Sequence, residues 1–166
     1  MFLRLFIFLL SILLLSACAK EQVAEPMCRI DKDTLPAPAA PASCLITSNT
    51  SVLVLKLKNK NGWQLPTGHK NNKMSAQCTA HQAVWQSTGL NVEVGQLLDI
   101  APDNKHIYSC ALSNGFDTLT QDLPVPDWAH RKVVNISFAD PNLTPESQWS
   151  EKSDLILIRS LFNKGQ

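Results

Sequence analysis

Residues 51–59 alternate in hydropathy: Leu53, Leu55 and Leu57 point one way, and Val52, Val54, Lys56 and Lys58 the other, which predicts a half-buried strand. Asn61-Gly62 marks a turn, and residues 63–66 read as a short strand entering a loop at Gly68, with residues 70–73 too polar to be anything but exposed. The period then changes. Ser75 is a good N-cap and Gly89 stands where a helix ends in a left-handed residue. Between them Ala76, Ala80, Ala83 and Val84 recur at helical spacing, predicting a helix over Ala76–Thr88 with a narrow inward face of small residues. Gln77, His81, Gln82 and Trp85 fall on its opposite side. Residues 90–101 and 106–112 are strand-like around a Pro-Asp-Asn turn, and residues 133–138 form another strand of β-branched and aromatic residues. Residues 113–130 read as a long loop, a length that in compact domains accompanies function or mobility. After a turn at 140–143, residues 146–162 read as a closing helix with Leu155, Ile158, Leu161 and Phe162 inward.

The start of the chain has another pattern. Arg4 precedes an apolar run over residues 5–15, shorter than the roughly 20 residues a comfortable membrane span needs. One cation, a short apolar stretch and a small-residue ending predict a secretory signal over residues 1–17. Residues 18–43 follow, with Pro26, Pro36, Pro38 and Pro41 among alanines and charged residues, a composition that suggests a semi-extended tether. The globular part is expected over 44–166, the size of one domain, with no internal repeat.

Set on these elements, residues 65–90 keep Gly68, Val84, Gly89 and Leu90 in a loop-helix pattern. The segment resembles the Nudix box, in which a glycine is followed after five residues by Glu, after seven more by Arg-Glu, an aliphatic residue, a Glu-Glu pair and a closing Gly-aliphatic. Met74 stands at the first Glu position, Gln82 and Ala83 at Arg-Glu, and Gln86 and Ser87 at Glu-Glu, so none of the five charged positions survives. The resemblance implies an α/β fold, a Nudix-like α/β/α sandwich with a mixed β-sheet over most of residues 44–162. In that family the helix carboxylates hold Mg²⁺, which neutralises a diphosphate and activates water, because hard divalent cations take oxygen ligands. The neutral oxygens of Gln86 and Ser87 are weak replacements.

Leu15-Ser16-Ala17-Cys18 likewise resembles a bacterial lipobox, which implies acylation of Cys18 and a lipid anchor rather than a spanning helix. Ala19 is not the Asp that commonly retains such lipoproteins at the inner membrane, so the resemblance favours the periplasmic face of the outer membrane. An ordinary signal peptide with an incidental cysteine, or an uncleaved anchor, are the alternatives. Export favours oxidation of Cys28, Cys44, Cys78 and Cys110, for which three pairings exist; the preferred one is Cys28–Cys44 with Cys78–Cys110. Their spacing matches no zinc pattern.

Charge narrows the ligand classes. Loss of residues 1–17 removes Arg4 from 15 basic residues, leaving 14 against 14 acidic, a neutral balance that gives no reason to expect nucleic-acid binding. No Asp or Glu occurs over residues 34–92, where Lys56, Lys58, Lys60, Lys70 and Lys73 all lie. Two readings stand: solvated strand ends and loops, or an electropositive groove for a phosphorylated or otherwise anionic ligand, with Lys56, Lys58, His69, Lys70 and Lys73 as candidates.

His81, three residues after Cys78, suits a Cys-His nucleophile only with a free thiol, which export disfavours. His106 and His130 have no identifiable partner. Trp85 and Trp128 either line a pocket or pack into the domain.

Two functions from different classes are therefore expected. One is a membrane-tethered binding module that has lost hydrolysis, needs no cofactor and recognises an anionic small molecule or an envelope protein. The other is an active hydrolase of nucleoside diphosphate-linked substrates, needing Mg²⁺ or Mn²⁺ on relocated ligands Glu93, Asp99, Asp117, Asp122 or Asp127. A purely structural envelope role needs neither ligand nor metal.

Overall fold

A computed structural model describes residues 23–112 and 122–165. The signal segment, Cys18 and Asp117 lie outside those residues. Two four-stranded sheets carry the fold. In the first, β1 (Ala42–Leu45) lies between β5 (Thr67–Gly68), antiparallel to it, and β7 (His106–Ala111), parallel to it, while β6 (Glu93–Ile100) pairs antiparallel with β7 at the edge. The second holds β2 (Thr47–Ser48), β3 (Ser51–Leu57), β4 (Trp63–Gln64) and β8 (Val133–Ala139), all antiparallel to β3. Helix α1 (Ala76–Thr88) and helix α2 (Lys152–Lys164) complete a mixed α/β fold. No helix among the described residues is long and apolar enough to cross a membrane.

The strands are apolar on both faces because each face meets its own helix. Ala42 and Cys44 of β1, Tyr108 and Cys110 of β7, and Leu53 and Leu55 of β3 join Ala76, Ala80 and Val84 of α1 in one core. Leu45, Ile107, Val52 and Val54 from the same strands join Leu155, Ile158, Leu161 and Phe162 of α2 in the other. The expected half-buried strand is thus corrected: Val52, Val54, Leu53 and Leu55 are all buried, and Lys56 is the first exposed residue of the strand. Burying such a side chain contributes about 1.5–3 kcal/mol, so four on one strand make β3 a centre of the fold.

The closing helix also differs from expectation. A 3-10 turn at Glu146–Gln148 is followed by extended backbone at Trp149 and Glu151, and α2 starts only at Lys152. Trp149 is buried and pairs parallel with Trp63, and Ser150 donates its N–H to Trp63 O at 3.0 Å. Anchoring the tryptophan to the second sheet breaks the helix register.

The disulfide pairing is corrected. Cys28 bonds Cys78 and Cys44 bonds Cys110, with Cα separations of 5.4 and 5.5 Å. The parallel β1–β7 pairing sets Cys44 opposite Tyr108, two residues from Cys110, and so takes Cys44 away from Cys28. Residues 23–41, the described part of the segment whose composition suggests a tether, form a strap along α1. The Gln77 amide, 1% exposed, receives the Ala37 N–H at 2.9 Å and donates to Leu35 O at 2.8 Å. Backbone bonds join Asp31 N–H to Val94 O and Val94 N–H to Arg29 O. The boundary expected at Cys44 falls inside β1.

Candidate functional site

Helix α1 spans the residues the sequence predicts, and its caps explain why. Ser75 Oγ accepts the Cys78 N–H at 3.2 Å, and Gly89, at φ 73°, donates its N–H to Trp85 O at 2.9 Å. Gly68 is held for another reason. A Cβ there would stand 2.7 Å from Thr79 O and 2.8 Å from Thr79 Cγ2, so β5 approaches α1 at a distance that only glycine permits. Packing and capping alone therefore require the two retained glycines.

Of the positions at which the resemblance would place charge, Gln82 and Gln86 lie on the outer face of α1, Met74 precedes its cap and Ala83 faces β5. Gln82 Nε2 donates to Glu25 Oε2 at 2.9 Å, and Gln86 Nε2 donates to Glu25 Oε1 at 2.8 Å. One carboxylate from the strap thus bridges two amides one turn apart. Ser87 Oγ turns back onto the helix and donates to Ala83 O at 2.6 Å. Met74 Sδ accepts from Asn71 Nδ2 at 3.1 Å, and Ala83 is buried with no polar atom to offer. The face holds amide donors where a cation would need a set of anionic oxygens.

Two residues assigned to the outer side are corrected: Gln77 is enclosed under the strap, and His81, 2% exposed, lies within hydrogen-bond distance of Asn91 Oδ1 at 3.0 Å. With Cys78 in a disulfide, the Cys-His nucleophile arrangement is excluded. Trp85 stacks on Trp128 with ring centroids 5.6 Å apart, beside the Gly89 cap.

The basic candidates fall in two places. Lys56 and Lys58 are exposed on and just after β3 of the second sheet, whereas His69, Lys70 and Lys73 are exposed in the loop between β5 and α1. Among the described residues none of these five side chains has an ion-pair partner.

The described carboxylates proposed as relocated metal ligands are dispersed. Glu93 pairs with Arg29 at 3.1 Å, Asp99 accepts the Ile100 N–H, and Asp127 stands 4.0 Å from His130. Asp122 accepts from Asn135 Nδ2 at 3.1 Å, and hydrogen bonds from Ser137 and then Asn135 lower its pKa. Among the described residues no group of three His, Cys, Asp or Glu side chains could hold a metal ion. Sequence reasoning missed Glu25, because nothing in a proline-rich stretch signals where its carboxylate lands.

No known family model matches the chain, and no curated protein matches it in sequence. Solved structures do. An ADP-ribose pyrophosphatase from Streptococcus suis superposes with a TM-score of 0.58 at 16% identity, covering 78% of this chain and 93% of that one. A UDP-X diphosphatase gives 0.56 at 12% identity, covering 94% and 72%. The dihydroneopterin triphosphate pyrophosphohydrolase of E. coli gives 0.56 at 13% identity, covering 77% and 99%, and a Nudix hydrolase from Nitrosomonas europaea is similar. With its mixed sheet between two helices and a glycine-bounded α1, this chain has the fold of the Nudix hydrolases.

Proposed function

We propose that this protein is a Nudix-fold binding module that does not hydrolyse diphosphates, exported and anchored through an acylated Cys18 at the periplasmic face of the outer membrane. The observation that carries the reading is the bridge from Glu25 to Gln82 and Gln86. A helix face that presents amide donors to a carboxylate is matched to an anion, and a divalent cation placed there would meet only one charged ligand. The ligand is a phosphorylated or otherwise anionic small molecule bound by His69, Lys70 and Lys73, with Lys56 and Lys58 contributing to the field, or an envelope protein. The acid-free stretch over residues 34–92 supports the choice of an anion.

Phosphate release from a panel of nucleoside diphosphate-linked substrates, with Mg²⁺ or Mn²⁺, tests the first half. Release stays at the level of buffer; EDTA-sensitive turnover overturns the proposal. Thermal shift against nucleotides, diphosphates and sugar phosphates tests the second half. Stabilisation abolished by K70E with K73E assigns the anion to the loop, and no stabilisation by any of them assigns the role to an envelope protein.

A further inference from the structure

The strap runs along α1 toward its C-terminal end. Cys28 is bonded to Cys78 in the first turn of the helix, and three residues earlier in the chain Glu25 meets Gln82 and Gln86, one and two turns further along. Val23, the first described residue, is 52% exposed. Cys18 precedes Glu25 by seven residues, so an acyl chain on it is held near the end of α1 that Gly89 caps.

The same end of the molecule gathers cations. Trp128 stacks on Trp85 beside Gly89, and its turn is closed by the Lys132 and Val133 N–H groups, which both donate to Ala129 O at 2.9 Å. The Lys58 N–H donates to Lys132 O at 2.9 Å and so sets the turn after β3 beside this one. Lys58, Lys60, Arg131 and Lys132 are exposed, and among the described residues none of the four has an ion-pair partner. Residues 56–62 contain no acid, and the one acid of residues 126–134, Asp127, stands 4.0 Å from His130. Trp128 and Val134, 44% and 53% exposed, add apolar surface. Tryptophan settles at the headgroup level of a bilayer, and clustered Lys and Arg are drawn to anionic headgroups. A second copy set face to face on this patch would bring the four cations against their own counterparts.

We propose that this end of the domain docks on the anionic lipid surface to which the chain is tethered. Lys58, Lys60, Arg131 and Lys132 lie against headgroup phosphates, and Trp128 enters at the headgroup level. The inference rests on the anchor proposed at Cys18, and it uses neither His69, Lys70 and Lys73 nor the amide face of α1. Acylation holds the chain at the membrane; the patch sets which end faces it. Each Lys or Arg close to an anionic surface favours association about fivefold, so four favour the docked orientation by roughly 600-fold at low salt, and ionic strength erodes the preference.

Hydrogen exchange of the full exported chain tests it, in vesicles of phosphatidylcholine alone and of equal parts phosphatidylcholine and phosphatidylglycerol. Amides of residues 58–60 and 128–132 exchange at least about tenfold more slowly in the anionic vesicles, and high salt removes the difference. Lys58→Gln combined with Arg131→Gln and Lys132→Gln weakens docking by about a hundredfold and abolishes the protection. Equal exchange in the two kinds of vesicle overturns the proposal without relying on any variant. The same protection from inorganic phosphate, with the chain in detergent and no vesicles, assigns the cations to a free anion and also overturns it. Intact mass reports acylation of Cys18 and separates the two readings. An acylated chain with equal exchange refutes the docking alone, whereas an unacylated chain still protected on anionic vesicles refutes the anchor alone.

Discussion

Removing the Cys44–Cys110 bridge as a Cys44→Ala, Cys110→Ala pair should cost more than removing Cys28–Cys78. The bridges close loops of 66 and 50 residues. In the chain-entropy description each loop of that length constrains the unfolded chain by about 4 kcal/mol, so loop length alone hardly separates them. Burial does. Cys44 is fully buried and Cys110 is 7% exposed within the core shared with α1, whereas Cys28 and Cys78 are half-buried under the strap. Truncating two core sulfurs leaves unfilled volume, which adds about 1–2 kcal/mol by the usual cost of deleted core atoms. Against a typical domain stability of about 5–15 kcal/mol, loss of the inner bridge brings the fold close to its limit, while the outer variant stays folded with a midpoint roughly 10–15 °C lower. Chemical denaturation of both double variants measures the difference, and digestion without reductant followed by mass spectrometry identifies the linked peptides in the parent. A Cys28–Cys44 peptide, or an outer variant less stable than the inner one, would refute the arrangement of β1 beside β7.

Gly68→Val should destabilise by about 2–4 kcal/mol in urea melts, because its Cβ meets Thr79 backbone at 2.7 Å and overpacking at a helix-strand contact has little room to relax. Gln77→Ala should cost about 1–3 kcal/mol and speed amide exchange of Ala37, whose N–H loses its partner. Tyr108 is the single tyrosine, and burial raises its pKa above 10.0. Its raised folded value means that the stability it contributes is full below the unfolded pKa and is lost as pH rises through the folded one. Absorbance at the tyrosinate band should therefore appear later than in urea-unfolded chain, and Tyr108→Phe should flatten that part of the alkaline stability profile.

Helix α1 is legible from Ser75 and Gly89 because caps are local chemistry, and β3 is legible as a strand because its alternation is local too. The burial of both β3 faces is not, since Val52 and Val54 read as a polar-side pair until α2 is known to cover them. The same limit hides β1: a four-residue strand in a Pro/Ala stretch gains its identity from parallel pairing with β7, more than sixty residues away. Once that pairing is missed, the cysteine partners cannot be chosen. At the candidate site the absence of carboxylates from the positions the resemblance marks is read residue by residue. What occupies the face in their place is a long-range fact, fixed by a strap whose sequence carries no periodicity.

The latch between Cys28 and Cys78 also sets a leash. With an acylated Cys18, ten residue steps lead from the lipid-bearing cysteine to Cys28 and its covalent weld on the first turn of α1, and a fully extended chain spans at most about 3.5 Å per residue, or roughly 35 Å in all. The domain is then confined to within about its own diameter of the bilayer. Whatever that helix binds, it would bind within that distance of the lipid.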